Sequence, residues 1–194
     1  NLKKFNFKKN KKYKGALRII FLSRISPIKN INFLFNVLRK VRKKINLSIY
    51  GPIEDLKYWK KCKHLIKEMP RNISINYKGI VNPEKVYSTI SSYDIFILPT
   101  KGESYGHAII ESLISSTPVI IGNKTPWHKY KNNAIVSLSL NNEKKWVSEL
   151  EKWVDLNNSQ YLIRSLGAQK FAKSHLFNNK IVNQNKNLFL RFIN

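Results

Sequence analysis

The sequence predicts an α/β fold: one parallel sheet of about six strands with helices on both faces, followed by a helical carboxyl-terminal part. Short apolar runs alternate with longer amphipathic runs as far as about residue 138, which is typical of a parallel sheet with helical crossovers. Only amphipathic runs follow. With 194 residues, 42% of them hydrophobic, the chain can bury a sizeable core, which excludes a disordered or collagen-like protein.

Six apolar runs bounded by turn signals are predicted as strands. They cover residues 17–23, 45–50, 72–78, 94–98, 118–121 and 134–138. Four amphipathic runs separate the first five strands, and three more follow the sixth. These predicted helices cover residues 30–44, 55–69, 83–91, 106–115, 142–155, 160–174 and 179–192. Asn30 is a candidate cap of the first helix, and Pro83 suits the first turn of the third.

The charge of the chain is strongly positive, with 36 Lys and Arg against 11 Asp and Glu and a net charge of +25. Such a surface attracts phosphates, nucleic acid or anionic membranes. An AT-rich genome, which favours Lys, Asn and Ile, explains the same composition without a function. The lysines are spread along the whole chain and match no nucleic-acid-binding motif, so no nucleic-acid partner is expected.

Several classes of protein are excluded by what the chain contains. Cys62 is the only cysteine, which excludes a disulfide framework and a multi-cysteine metal site, and we interpret it as an ordinary core or surface thiol. No apolar stretch reaches the roughly 18 residues of a membrane span, and no signal peptide is evident. Residues 1–14 are expected to form a basic tail or linker, and residues 15–194 a single domain.

Ligands bind at the carboxyl ends of the strands in a parallel sheet, so the segments that follow each strand are the candidate site. After the first strand, Arg24 and Lys29 stand five residues apart across a turn that contains Pro27. A guanidinium fork and an ammonium suit the two phosphoryl groups of a diphosphate. In so basic a chain such a pair could also arise by chance. Its position at a strand end is what supports a role in diphosphate binding.

The segment after the fourth strand, residues 99–107, runs directly into a helix. The N–H groups at a helix start form a cradle for an anion or a hydroxyl. Glu103 precedes this helix and Glu111 lies two turns into it, so both carboxylates can face one cleft and accept hydrogen bonds from sugar or ribose hydroxyls. The structural alternative makes Glu103 a partner of the helix dipole and Glu111 a solvated residue. The loop at Trp127 is either a packed turn or another wall of the cleft.

Together these segments resemble the donor-binding, carboxyl-terminal domain of GT-B glycosyltransferases of family 4, the retaining "glycosyl transferases group 1". The matching segments occur in the family's order. They are residues 23–30, 49–52, 77–81, 98–100, the E-x7-E motif from Glu103 to Glu111, and residues 118–121 with 125–127. The resemblance covers roughly residues 15–175. It implies a Rossmann-like domain that forms one half of a GT-B enzyme.

The resemblance implies a role for each matching residue. Arg24 and Lys29 correspond to the basic pair that holds the diphosphate and stabilises it as the leaving group. Glu103 corresponds to the glutamate that contacts the transferred sugar, Glu111 to the one that binds the ribose, and Ile80 to the position whose main chain frames the base. The other residues expected to bind the donor are Gly51, Ser104, Tyr105, Gly106 and His107, the last three through their backbone N–H groups.

The implied activity is sugar transfer from a UDP- or GDP-sugar with retention of configuration, in the assembly of bacterial cell-surface glycans. No cofactor or metal is expected, because the basic pair occupies the place of a metal ion. The expected acceptor is a glycan or a lipid-linked saccharide. The expected location is the cytoplasm, with a peripheral contact at the inner face of the membrane left open. The alternatives are a related sugar-nucleotide epimerase and a basic nucleic-acid-binding module.

Two features depart from the family pattern. Residues 115–118 read Ser-Ser-Thr-Pro where the family often has a glycine before the fifth strand, which changes a turn. The amino-terminal domain that binds the acceptor has no counterpart, and the chain does not begin with Met. We therefore expect half of an enzyme, inactive alone. Because the family's last helix crosses to the other domain, we also expect the helices after residue 160 to be partly unsupported.

Overall fold

The computed structural model describes residue 12, residues 14–130 and residues 132–176. In this part of the chain six strands form one sheet: β1 (Ala16–Leu22), β2 (Lys44–Tyr50), β3 (Ile73–Tyr77), β4 (Ile95–Leu98), β5 (Val119–Gly122) and β6 (Ile135–Leu138). All neighbouring strands are parallel, and their order is β3-β2-β1-β4-β5-β6. The predicted Rossmann-like sheet of about six strands is confirmed.

Within the described residues, six helices connect or follow these strands. They are α1 (Ile31–Leu38), α2 (Leu56–Lys67), α3 (Val86–Ser91), α4 (His107–Ile114), α5 (Glu143–Asp155) and α6 (Asn158–Leu176). Short 3-10 turns at Pro83–Lys85 and Pro126–Lys129 precede α3 and β6. The predicted helix at residues 179–192 lies outside the described residues. Among the described residues, none of the helices is long and apolar enough to cross a membrane.

The first helix is shorter than predicted. The expected helix ran to Lys44, but α1 ends at Leu38 and Lys44 already begins β2, where it pairs with Ala16. The intervening residues must turn the chain back to the sheet. Val41 anchors this turn: it is buried, and its N–H donates to the Leu38 carbonyl at 3.1 Å. The basic run there favours a helix locally, but the parallel pairing of β2 requires the turn.

Side-chain caps fix the start of two other helices. The Asp55 carboxylate accepts the Tyr58 N–H at 2.7 Å at the start of α2, and the Asn142 side chain accepts the Lys145 N–H at 3.1 Å at the start of α5. Asn30 occupies the N-cap position of α1, as predicted, but its side chain does not cap the helix. This residue precedes α1 in a left-handed conformation with φ 59° and makes no side-chain capping hydrogen bond.

The order of the strands predicts a ligand site at the carboxyl edge of the sheet, between β1 and β4. Strands β4 and β5 are buried along their whole length, as is most of β1, so helices cover both faces of the sheet centre. Strands β1 and β4 are neighbours although they are not consecutive, and the order of the strands reverses there. The connections from β1 and β4 leave toward opposite faces at such a point and open a crevice at the carboxyl edge.

Lys12 lies in the segment predicted as a tail, and it packs against the end of α5. This residue is buried, and its ammonium donates to the carbonyls of Val154 at 3.1 Å and Leu156 at 3.2 Å, at the end of α5. Its burial lowers the pKa of the ammonium. A lysine held in this way is part of the packed domain rather than of a solvated tail.

Cys62 is buried in the core, and burial raises the pKa of its thiol to about 11. It is therefore an ordinary thiol of the core rather than of the surface, since a reactive cysteine needs a lowered pKa.

Candidate functional site

The loop after β1 is held against the loop after β2. The Ser23 N–H donates to the Tyr50 carbonyl at 3.0 Å, and the Ile25 N–H donates to the Pro52 carbonyl at 2.8 Å. These bonds extend the parallel pairing of the two strands beyond their ends. The segment that carries Arg24 is thus fixed at the carboxyl edge of the sheet.

Gly51 lies where the backbones of these loops approach most closely. Its φ is 131°, and an added Cβ would lie 2.0 Å from the Ser23 carbonyl oxygen, so no other residue fits. The Gly51 N–H donates to the Gly79 carbonyl at 2.9 Å, which brings the segment after β3 to the same edge. Ile80 follows there with 72% of its surface exposed. The residues predicted to frame the nucleotide therefore lie side by side.

The loop after β4 is bonded to the loop after β1 across the crevice. The Thr100 hydroxyl and the Lys101 N–H both donate to the Ile28 carbonyl, at 3.1 and 2.8 Å. Next to them the Lys29 ammonium donates to the Glu103 carboxylate at 2.6 Å, and their side chains are only 10% and 16% exposed. Two residues that are 74 positions apart in the chain thus form a largely buried ion pair at the strand reversal.

Arg24 has a different environment. Its guanidinium pairs with the Glu54 carboxylate at the protein surface, where the two side chains are 57% and 42% exposed. The sequence did not single out Glu54, because its contact with Arg24 depends on how the loops after β1 and β2 pack. Both cations of the predicted diphosphate clamp therefore lie at the carboxyl edge, each facing a glutamate.

Gly106 forms the start of α4 and packs against Glu103. It has a positive φ of 85°, and an added Cβ would lie 2.8 Å from Ile109 Cδ1 and 3.1 Å from Glu103 Cγ. The first N–H groups of a helix have no acceptor in a preceding helical turn, and an anion or a hydroxyl can bind there. The predicted cradle residues Ser104, Tyr105 and His107 are exposed around this helix start.

Glu111 lies in the second turn of α4 and is half-buried. Burial raises the pKa of its carboxyl, and the positive charge of His107 partly offsets this. The carboxylate also raises the pKa of Tyr87 on α3. Glu111 is thus neither a fully solvated residue nor, among the described residues, a member of an ion pair, whereas Glu103 is paired with Lys29.

Trp127 supports the cradle from the loop after β5. Its side chain is buried, and its indole N–H donates to the Tyr105 carbonyl. The two rings also meet edge to face, with centroids 5.6 Å apart. The sequence left open whether this tryptophan packs in a turn or lines the cleft. The structure shows a packed tryptophan that fixes the position of a cradle residue.

The described residues lack a cluster of metal-ligating side chains. They contain no group of three or more His, Cys, Asp and Glu side chains that could hold a metal ion. Arg24 and Lys29 lie at the carboxyl edge, and each pairs there with one glutamate.

Known proteins are similar to this chain in sequence and in fold. Residues 3–165 match the family described as glycosyl transferases group 1. The chain is 31% identical over 125 residues to the alpha-monoglucosyldiacylglycerol synthase of Streptococcus pneumoniae, a match that covers 62% of the chain and 26% of the synthase. The chain spans about half or less of the length of the curated relatives that it matches.

Two solved structures have the same fold. HepE of Anabaena, in complex with UDP-glucose, aligns with a TM-score of 0.75 at 15% identity, over 91% of this chain and 49% of HepE. The carboxyl-terminal domain of LpcC, a group 1 family protein from Francisella tularensis, aligns with a TM-score of 0.74 at 14% identity, over 90% of this chain and 96% of that domain. The family match extends over most of the chain and includes the loops that follow β1 and β4. We conclude that the chain belongs to the glycosyl transferases group 1 family.

Proposed function

We propose that the chain is the donor-binding half of an enzyme that transfers a sugar from a nucleoside diphosphate sugar to an acceptor. The observation that carries the proposal is the Lys29–Glu103 ion pair, which spans the crevice between the loops after β1 and β4. It places a cation for the diphosphate within hydrogen-bond distance of a carboxylate for the sugar. A nucleotide sugar needs these two groups next to each other, since its sugar is attached directly to the diphosphate.

The transfer proceeds without a metal ion and retains the anomeric configuration. Departure of a nucleoside diphosphate leaves negative charge on the phosphates, and fixed cations stabilise that charge in the transition state. Lys29 is held in place by burial, and Arg24 lies at the surface, from which it can turn from Glu54 to a phosphate. Retention is supported by the family to which the chain belongs.

The other residues bind the remaining parts of the donor. Glu103 accepts hydrogen bonds from hydroxyls of the transferred sugar, and Glu111 accepts those of the ribose. The N–H groups at the start of α4 hold the sugar and phosphate. The main chain at Ile80, beside Gly51, frames the base of a UDP- or GDP-sugar. The complex of HepE with UDP-glucose supports a UDP-sugar as the donor.

The acceptor binds mainly to a second, amino-terminal half. Three observations support this: the chain spans about half of HepE, the cradle residues are exposed, and α6 exposes the apolar side chains of Ile163 and Leu166. The acceptor is a glycan or a lipid-linked saccharide in the assembly of cell-surface glycans, and the name of the streptococcal relative supports a lipid. The enzyme works in the cytoplasm, and the charge of +25 supports a peripheral contact with an anionic membrane.

The test compares UDP with uridine on the chain and on its Lys29→Met variant, by calorimetry. We expect the variant to bind UDP about tenfold more weakly, because a charged hydrogen bond is lost, and uridine equally well. Lys67→Met, at an exposed lysine in the last turn of α2, is the matched control and should leave both affinities unchanged. Unchanged UDP binding by folded Lys29→Met would overturn the proposal. Sugar transfer should appear only after fusion to an amino-terminal half from a relative.

A further inference from the structure

A small pocket lies beside the cradle, on the side away from the nucleotide segments. Its volume is about 140 Å³, and it is lined by Tyr105, Pro126, Trp127, Lys129, Tyr130 and His175. Tyr105 comes from the loop after β4, four residues come from the segment after β5, and His175 comes from the last turns of α6. The pocket opens at the carboxyl edge, where the proposed reaction takes place.

The position of the pocket separates it from the donor. Gly51 and Ile80, which are proposed to frame the nucleotide, follow β2 and β3, whereas the pocket is built on the segments after β4 and β5. These pairs of strands lie on opposite sides of the strand reversal. The pocket is also well below the roughly 300–1,000 Å³ of a site for a drug-sized ligand. It therefore suits a single small unit rather than a nucleotide sugar.

The walls of the pocket are aromatic. Trp127 is 2% exposed and forms the back wall, with its ring centroid 5.0 Å from that of His175. Tyr105 is 41% exposed and offers its ring to a ligand. The Tyr130 ring lies 5.5 Å from that of His175, at a nearly perpendicular angle. Aromatic walls with few polar groups bind the apolar face of a small ring.

Among the residues that line the pocket, Lys129 carries a permanent charge, which is positive, and its side chain is exposed. The Lys129 ammonium lies 5.4 Å from the centre of the Tyr130 ring, and no carboxylate pairs with it among the described residues. No Asp or Glu lines the pocket. Burial and the nearby Lys129 charge lower the pKa of His175, whose Nδ1 lies 3.5 Å from the Tyr130 hydroxyl. A bound anion would neutralise this excess of positive charge.

We propose that this pocket binds an acidic sugar unit of the acceptor, with its ring against Tyr105 and its carboxylate or phosphate at Lys129. The inference rests on the transfer reaction proposed above, and it adds the chemical class of the acceptor. The sugar ring would pack against the aromatic walls, and its negative charge would pair with Lys129, which has no carboxylate partner among the described residues. Tyr105 belongs both to the pocket and to the cradle, so a unit bound in the pocket would lie next to the transferred sugar.

The experiment titrates the full chain with methyl β-D-glucuronide, with methyl β-D-glucoside and with acetate at constant ionic strength. The His175 ring is followed by NMR, and its signal is assigned by its loss in His175→Asn. We expect the glucuronide to shift the signal saturably and to raise the His175 pKa, with an affinity about tenfold higher than that of the other two probes. Lys129→Gln should reduce glucuronide binding to the level of the glucoside. Lys124→Gln, at an exposed lysine of the same segment that does not line the pocket, should not.

Three results would overturn the proposal: acetate bound as tightly as the glucuronide, the glucoside bound as tightly as the glucuronide, or no saturable shift with any probe. UDP binding is measured on the same samples. If UDP binds and the glucuronide does not, the pocket assignment fails while the donor function stands. If the glucuronide binds and UDP does not, the pocket assignment stands and the donor function fails.

Discussion

Two ion pairs lie at opposite ends of β4, and they are built differently. At its amino end, the Asp94 carboxylate accepts the Arg18 backbone N–H at 2.8 Å and the Arg18 guanidinium at 2.6 Å, while the Asp94 N–H donates to the Arg18 carbonyl at 2.9 Å. Asp94 is 1% exposed. At the carboxyl end, Lys29 and Glu103 lie on loops and share one contact. The first pair joins β1 to the start of β4 through side chains and backbone, and the second joins two loops through side chains alone.

The difference separates an ion pair that stabilises the fold from one that can exchange partners. The Asp94 carboxylate accepts hydrogen bonds from donors that the strands fix in place. A ligand would have to replace these bonds to bind there. The Lys29 ammonium has three N–H donors, and in the described part of the chain Glu103 accepts the one side-chain hydrogen bond that it makes. A diphosphate can therefore bind to Lys29 without unfolding a strand. The ion pair at the carboxyl end of β4 therefore retains N–H donors for a ligand, whereas the ion pair at the amino end stabilises the fold.

Removal of the amino-end pair should have the largest effect on stability. Asp94→Ala leaves the Arg18 guanidinium and backbone N–H without their carboxylate, and loss of one partner of a buried pair costs about 3 kcal/mol or more. We expect the midpoint of thermal unfolding, followed by circular dichroism, to fall by about 10 °C. UDP binding at low temperature should be unchanged. A loss smaller than that of Glu103→Gln would contradict this assignment of roles.

Replacement of the carboxylate at the other end should change ligand preference more than stability. Glu103→Gln keeps a hydrogen-bonding group beside Lys29 but removes the charge that competes with a diphosphate, so we expect a cost of about 1 kcal/mol in stability. UDP should bind at least as tightly as to the parent chain. The extra affinity of UDP-glucose over UDP should disappear, because the acceptor for the sugar hydroxyls is weakened. Calorimetry with both ligands measures this, and weaker UDP binding would show that Glu103 does not compete for Lys29.

The fold was predictable to the extent that each element has a local signal. The six strands are short apolar runs between turn residues, and all six are present. The first helix was predicted too long because residues 39–44 favour a helix, whereas the return to the sheet requires a turn.

The location of the candidate site residues at the carboxyl edge of the sheet was predictable, but their side-chain partners were not. The pairing of Lys29 with Glu103, that of Arg24 with Glu54, and the bond from Trp127 to Tyr105 all join loops from different strands. Such contacts depend on the strand order and on loop packing, which local sequence patterns do not contain.

Replacement of Glu111 should stabilise the folded chain and weaken its binding of ribonucleotides. Burial raises the pKa of its carboxyl above the ordinary 4.5, so its ionised form is disfavoured in the folded chain. The stability it contributes is fully present below that ordinary value and is lost as the pH rises through the folded pKa. Glu111→Gln should therefore raise the unfolding midpoint at pH 7 and leave it unchanged near pH 4.

The same variant should bind ribonucleotides more weakly, because an amide is a poorer acceptor for two hydroxyls, while 2′,3′-dideoxynucleotides should bind as before. Stability curves at several pH values and calorimetry with both ligands measure the two effects. A lower midpoint at pH 7, or equal losses for both nucleotides, would show that Glu111 serves the fold.

Arg24 should show the smallest effect on stability, together with a clear effect on binding. It is paired with Glu54 at the surface, where such pairs contribute about 0.2–1 kcal/mol, so Arg24→Ala should unfold within about 2 °C of the parent chain. UDP binding should nevertheless fall about tenfold, since a charged hydrogen bond to a phosphate is lost, whereas uridine should bind equally well. Lys67→Met again serves as the matched surface control. Because Arg24 is exposed, its contribution should shrink between 0.05 and 0.5 M salt by a larger factor than that of the buried Lys29, as screening acts mainly on exposed charges. Unchanged UDP affinity in Arg24→Ala would show that this arginine belongs only to the surface pair, and that Lys29 alone provides the positive charge of the diphosphate site.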